Sequence, residues 1–438
     1  MSATFDGVAS VRPTIGLALS ARTRGRLLTL VLIGALVFNL GLCFANTNVL
    51  RVNDTMVMLA ELLLIATALG VVAVAPGLWL PLVMLLFLSY MALILSLRPA
   101  LDLKPIRDFL IPIVFYAAGR RSPDIALTDR VAWLCGLIVL GFGLFEYFFL
   151  DVYTKYFNVI QYYIARGTVV PTGNTSTTST LFASGTRPDA RNILPFLGPH
   201  RVSSVFLEPV SAGNFGAILY MWALFRAGMR RRWQTMAFGI AAIILSDSRF
   251  GAYACGAATG LHLFARGFPR FLWFALPFAV LLALAYHGFT SEAVRWDDNL
   301  VGRLWWTAHL VTSLDGAAVF GISPNKPFLS DSGYAYTLND IGIVGFLAVW
   351  ALFIFLPERN RDAWSFKMQT ATYICLLLLV SDSPYSIKTA ALLWFMVGSA
   401  DGAAPGPDGR IARAAAGRSA ASRFRLSAGS APVRRRAA

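Results

Sequence analysis

Long, uninterrupted apolar stretches recur along the chain, separated for the most part by short segments rich in arginine. The apolar runs fall at 26–45, 55–75, 78–97, 105–119, 131–150, 209–227, 233–247, 249–265, 270–289, 336–356, 367–382 and 384–400. Most approach the roughly 20 residues that a helix needs to cross a bilayer's hydrocarbon core. The fourth and seventh are shorter. Apolar residues fill both faces of each run instead of alternating, which predicts helices and disfavours a β-barrel. The expected fold is an all-α polytopic membrane bundle of about twelve transmembrane helices.

Composition supports the same class. Of 438 residues, 57% are hydrophobic and only 14% charged, with a mean hydropathy of +0.62, whereas soluble domains are about a quarter charged. The formal charge of +15 raises the question of nucleic acid. The arginines, however, sit in short loops and tails between apolar runs, a pattern that the positive-inside rule explains and a nucleic-acid interface does not. Arg22, Arg24 and Arg26 precede the first run, and Arg120, Arg121 and Arg130 lie between or beside the fourth and fifth. Arg226 and Arg230 to Arg232 separate the sixth and seventh, Arg266 and Arg270 the eighth and ninth, and Arg359, Arg361 and Lys367 the tenth and eleventh. With twelve spans these loops and both termini share one side, the cytoplasm.

Three regions follow: a cytoplasmic tail over 1–25, a membrane domain over 26–400, and a basic cytoplasmic tail over 401–438 with eight arginines against two aspartates. Two large loops, 151–208 and 290–335, face outward, the first with a Ser/Thr-rich stretch at 171–180. Cys43, Cys135, Cys255 and Cys375 all lie in apolar runs without metal-ligand or disulfide spacing. No two of the four histidines make metal-ligand spacing, so neither a metal nor another cofactor is expected. The N-terminus lacks the form of a cleavable signal.

Polar residues that break into or border the apolar runs are the candidates for chemistry, because charge at membrane depth is costly unless used or paired. Arg201 follows His200 and precedes Glu208 at the start of the sixth run. It reads either as an interfacial cation beside a helix-capping acid or as a grip on an anionic headgroup, with Glu208 orienting it. Asp247, Ser248 and Arg249 occupy a junction with almost no loop, where Asp247 and Arg249 form a local ion pair or Arg249 binds an anion. Arg303 opens a helix-like segment over 303–312 with Trp305 and Trp306, which suit either an interfacial anchor or a sugar-stacking platform. Asp331 and Tyr334 lead into the tenth run. An outward carboxylate there is a candidate general base, while Gly342 and Gly345 suit close helix packing.

These segments, in order, resemble the bacterial O-antigen polymerase and ligase family. The resemblance rests on Arg201, Ser203, Ser204, Phe206, Pro209 and Gly213, on Ser246, Ser248, Arg249 and Gly251, on Gly302, Arg303 and Trp306 with Gly321 and Ile322, and on Tyr334, Asp340, Gly342, Ile343 and Gly345. It covers roughly 195–350. It implies a GT-C-like membrane glycosyltransferase of the inner membrane that polymerises polyprenyl-pyrophosphate-linked repeat units at the periplasmic face, by inverting transfer and without a metal. Arg249, Arg303 and Asp331 then stand as catalytic residues. Arg201, His200, Glu208, Ser248, Trp305, Trp306 and Tyr334 stand as substrate-binding residues. Implied partners are the lipid-linked oligosaccharides, the bilayer, and a flippase and chain-length regulator of the same assembly line. Ligases of the family carry a His about three residues before the Tyr, where this chain has Asp331, which favours a polymerase over a ligase. The competing class is a flippase, which leads one to expect two related halves and helices broken at the midplane. A membrane acyltransferase is disfavoured by the lack of a His-centred pair.

Overall fold

The computed structural model describes residues 20–73, 78–99, 101–122, 124–169, 180–187, 191–264, 268–291, 300–323, 329, 331–360 and 362–403. The tail before residue 20, most of the Ser/Thr-rich stretch and the basic tail from 404 lie outside the described residues. Within them every regular element is helical, apart from one isolated bridge between Thr186 and His200. In chain order the helices are α1 (Ala21–Asn48), α2 (Asp54–Ala73), α3 (Trp79–Leu97), α4 (Lys104–Arg120), α5 (Ile125–Phe148), α6 (Leu150–Tyr156), α7 (Val159–Ala165) and α8 (Pro209–Phe225). They continue with α9 (Arg232–Leu245), α10 (Arg249–Phe264), α11 (Arg270–Thr290), α12 (Leu300–Thr312), α13 (Gly316–Val319), α14 (Gly333–Phe355), α15 (Ala363–Leu377) and α16 (Ile387–Gly402).

Each apolar run coincides with one helix, and local chemistry sets several boundaries. Ser20 caps α1 by accepting from the Thr23 amide at 3.1 Å, and Asp124 caps α5 through the Ala126 amide at 3.0 Å. Pro209 opens α8, where its missing N–H costs nothing. Among the described residues six helices (α1, α2, α3, α5, α11 and α14) are long and apolar enough to cross a membrane. The other six, α4, α8, α9, α10, α15 and α16, have 14 to 17 residues. At 1.5 Å per residue they reach about 21–26 Å, short of the roughly 30 Å apolar core. Several of these form the interior: nearly every side chain of α8 and α16 is buried. By contrast α2, α3 and α11 expose leucines along their length, as lipid-facing helices do. The α4–α16 seam is tightest, since a Cβ on Gly119 or Gly398 would lie 2.0 Å from a backbone oxygen of the other helix.

One helix is broken. Inside α14, Gly342 adopts φ 65° and ψ 171°, outside the helical region. The carbonyls freed around the break are bonded by α3 and the residue after it. Tyr90 donates to Ile341 O at 2.6 Å, and Arg98 donates to Asn339 O and Asp340 O at 2.7 and 2.8 Å. Arg98 also donates to Gly321 O at 2.8 Å, and a Cβ at Gly342 would lie 2.5 Å from Phe320 O. Gly345, by contrast, serves packing as expected, its face against the Tyr90 ring.

The two ends of the bundle differ. At one end Lys367, fully buried, bonds Glu358 at 3.0 Å and Asp401 at 3.4 Å, while Arg226 forks onto Asp129 at 2.8 and 3.1 Å. That end carries the arginine-rich connections. The opposite end gathers residues 98–104, 191–209, 246–249 and 378–388, and there the candidate residues lie.

Candidate functional site

The turn joining α9 to α10 anchors the first part of this end. Arg191 donates to His200 O at 2.8 Å and to Leu245 O at 2.7 Å, and also to Ile244 O, so it satisfies the open carbonyls at the end of α9. Arg201 follows the same logic: its Nε donates to Ser246 O at 3.0 Å and its Nη1 to Ser184 O at 3.1 Å, with only 6% of the residue exposed. Asp247 is wholly buried with φ 49°. It accepts from the Ile193 amide at 2.7 Å and pairs with Arg187 at 3.3 Å, so its ion-pair partner is not Arg249. Ser248 Oγ accepts from the Gly251 amide at 3.1 Å, capping α10. Only a glycine fits opposite it, because a Cβ at Gly213 would lie 2.1 Å from that oxygen.

These contacts tie four of the candidate residues into the framework. Arg201 struts the loop onto the 246–248 turn, and Ser248 is a helix cap; both are built into the framework. His200 turns inward: its Nδ1 lies 3.2 Å from Gly185 O, and its Nε2 lies 3.2 Å from Glu146, outside hydrogen-bond alignment. Glu146 is itself fully buried under the amides of Ser203 and Ser204. Tyr334 is fully buried between α14 and α15 and donates to Cys375 O at 3.2 Å, so it faces packing and no open space.

The remaining residues keep open faces. Arg249 and Arg303 are half-buried, as are Trp305 and Trp306, and Asp331 is exposed at the start of α14. Trp305 stacks on His309 with centroids 5.4 Å apart and planes 3° from parallel. Both arginines belong to the same end. Phe250, beside Arg249, packs on Tyr373 near the close of α15 at 5.9 Å, and Thr307 of α12 donates to Leu379 O just beyond that helix at 2.6 Å.

Glu208 leads into a second constellation that the sequence reading did not find. It accepts from Lys388 at 2.7 Å, Tyr163 at 2.6 Å and Ser211 at 3.0 Å. Burial raises its affinity for a proton, but the Lys388 ammonium and these hydrogen bonds outweigh it and hold the carboxyl below its usual range. Asp382, in the connection between α15 and α16, goes the other way. Burial, aided by the carboxylates of Asp108 and Glu208 and opposed by Lys104, pushes it up to about 7. Asp108 accepts from Tyr336 and pairs with Arg107, which also bonds Glu61 at 2.6 Å. Lys104 lies 4.9 Å from the centre of the Tyr336 ring. Two carboxylates with oppositely perturbed acidity and two lysines therefore meet beside the arginine-bearing helices. The signal lay in Lys104, Arg107, Asp108, Asp382 and Lys388 sitting at the margins of apolar runs.

Among the described residues no group of three or more His, Cys, Asp or Glu side chains is placed to hold a metal ion. No family model, curated protein or solved structure matches the chain.

Proposed function

We propose that the protein is a multi-pass glycosyltransferase that polymerises polyprenyl-pyrophosphate-linked oligosaccharides at the outer face of the bacterial inner membrane, with both termini cytoplasmic. The observation that carries this reading is that half-buried Arg249 and Arg303 lie at the same end of the bundle as the carboxylates of Glu208 and Asp382. Arg249 and Arg303 neutralise the diphosphate as it departs, the kind of preorganised electrostatic stabilisation that dominates many enzymes. The acceptor sugar's hydroxyl oxygen attacks the anomeric carbon, the anomeric C–O bond to phosphate breaks, and polyprenyl pyrophosphate leaves with inversion. The hydroxyl proton passes to a carboxylate.

Asp382 suits that role better than Asp331. A base is most effective when its pKa lies near the working pH, and Asp382 approaches that while remaining partly open. Trp305 and Trp306 offer aromatic faces for sugar rings. Arg201 acts as a positioning residue through the 246–248 turn.

A flippase for the same lipid-linked units is the second reading, and the break at Gly342 favours it, since broken helices recur in transporters. One experiment separates the two. Arg249→Ala and Arg303→Ala strains are examined for lipid-linked glycans and for the leaflet that holds them. Polymerisation predicts loss of long chains with single repeats accumulating on the outer leaflet. Transport predicts single repeats retained on the inner leaflet, and normal chain length in both strains discards both readings.

A further inference from the structure

The end of the bundle opposite the candidate site carries a second constellation that glycan transfer leaves unused. Two adjoining cavities open there. One, of about 440 Å³, lies between the first turns of α5 and the loop joining α8 to α9, and is lined by Arg130, Arg226, Arg230 and Arg231 around Trp133. The other, of about 620 Å³, lies between the starts of α1 and α5 and is lined by Arg22, Arg26 and again Arg130. Arg130 thus stands between them.

The acidic residues do not balance this charge. Asp129 is neutralised by the fork of Arg226, and Asp124, which lines the second cavity and caps α5, is one carboxylate against Arg22, Arg26 and Arg130. Among the described residues Arg22, Arg26, Arg130 and Arg230 form no ion pair, and all four are exposed. Arg231 lies 3.8 Å over the Trp133 ring, which fixes one wall. Positive-inside bias accounts for arginines near this surface, but it does not require them to share two cavities about a common residue.

The setting identifies the ligand chemistry. Leu30 lines the second cavity and is largely exposed, as is Trp233 beside the first. An exposed leucine on α1 and an exposed Trp in the first turn of α9 mark the boundary between acyl chains and headgroups. Basic pockets between helices at that depth suit phosphate-bearing headgroups. Guanidinium forks match phosphate oxygens two at a time.

We propose that this groove binds an anionic phospholipid carrying two phosphate groups, one in each cavity with Arg130 between them, and with its acyl chains along Leu30. The site is independent of the polymerase reading and stands or falls separately.

The test uses the full-length protein in phosphatidylcholine nanodiscs. These are doped either with diphosphatidylglycerol or with twice that mole fraction of phosphatidylglycerol, so that total lipid charge is equal. Retained lipid is read by native mass spectrometry and stability by thermal melting. Diphosphatidylglycerol is expected to be retained one per protein and to raise the melting temperature more than phosphatidylglycerol does. The Arg130→Ala/Arg230→Ala double variant is expected to lose at least tenfold in retention while melting normally in neutral lipid. Arg22→Ala/Arg26→Ala provides the same reading from the other cavity should the first variant fold poorly. Equal retention of the two lipids, or undiminished retention in both double variants, overturns the proposal. Displacement of the lipid by millimolar inorganic pyrophosphate overturns it too, because the groove then serves a soluble anion.

Discussion

Lys388 lies four residues into the 384–400 run and Asp382 closes the 367–382 run, stretches that read as continuous membrane spans, which is why periodicity passed over them. Their importance is tertiary: α16 brings Lys388 to Glu208, some 180 residues earlier in the chain, at 2.7 Å. Lys388→Met removes that partner and strands a carboxylate that is mostly shielded from water. The expected loss is about 1–3 kcal/mol of stability, largely restored in the Glu208→Gln/Lys388→Met double variant, as read by denaturant melts in detergent. A loss unchanged in the double variant means that Lys388 acts through packing. In the folded protein the pKa of Asp382 is raised from 3.8 to about 7. The native state therefore holds a proton that the unfolded chain has released, so the stability linked to this group is full at acid pH and fades as pH rises to about 7. Activity runs opposite, because only the deprotonated carboxylate accepts a proton. Polymerisation rate should rise with pH through about 7, and Asp382→Asn should flatten that limb, whereas Asp331→Asn should leave it in place. A limb that survives Asp382→Asn removes Asp382 from the proton transfer. The framework contacts of Arg201, His200, Ser248 and Tyr334 were not legible in the sequence, and they share a cause. Whether a polar side chain faces a substrate or an orphan carbonyl depends on what folds against it, and composition along the chain does not carry that.

At the scale of the element, helix positions were largely legible because twenty-residue apolar runs leave few alternatives in lipid. Breaks within helices were not. Gly342 and Gly345 look alike in sequence, yet Gly345 packs on Tyr90 while Gly342 turns the backbone to φ 65°. The difference lies outside α14, in Arg98 and Tyr90, whose donors meet the carbonyls that the break frees. An l-residue with positive φ costs about 1–2 kcal/mol, and at Gly342 a Cβ also meets Phe320 O at 2.5 Å. Gly342→Ala should therefore destabilise by more than that conformational cost alone, with Arg98→Ala weakening the same break from the other side. Limited proteolysis across 316–342 should speed up in both variants, and unchanged cleavage shows that the break is held by other contacts.

At the scale of the whole molecule, the charge pattern sorts the loops into two sets, and the contacts place the helix ends in the same two sets. Orientation decides the chemistry. An end that faces outward meets lipid-linked glycans already exported, whose diphosphate is the only activated group at hand; an end that faces inward meets soluble activated sugars instead. In a chain with Cys43, Cys135, Cys255 and Cys375 replaced, Asp331→Cys places a thiol at one end and Arg230→Cys at the other, both at exposed positions. A membrane-impermeant maleimide applied to intact spheroplasts should label the first within minutes and the second only after permeabilisation. The reverse pattern would turn the arginine-bearing end toward the cytoplasm, and polymerisation of exported units would then be untenable whatever the residues at that end do.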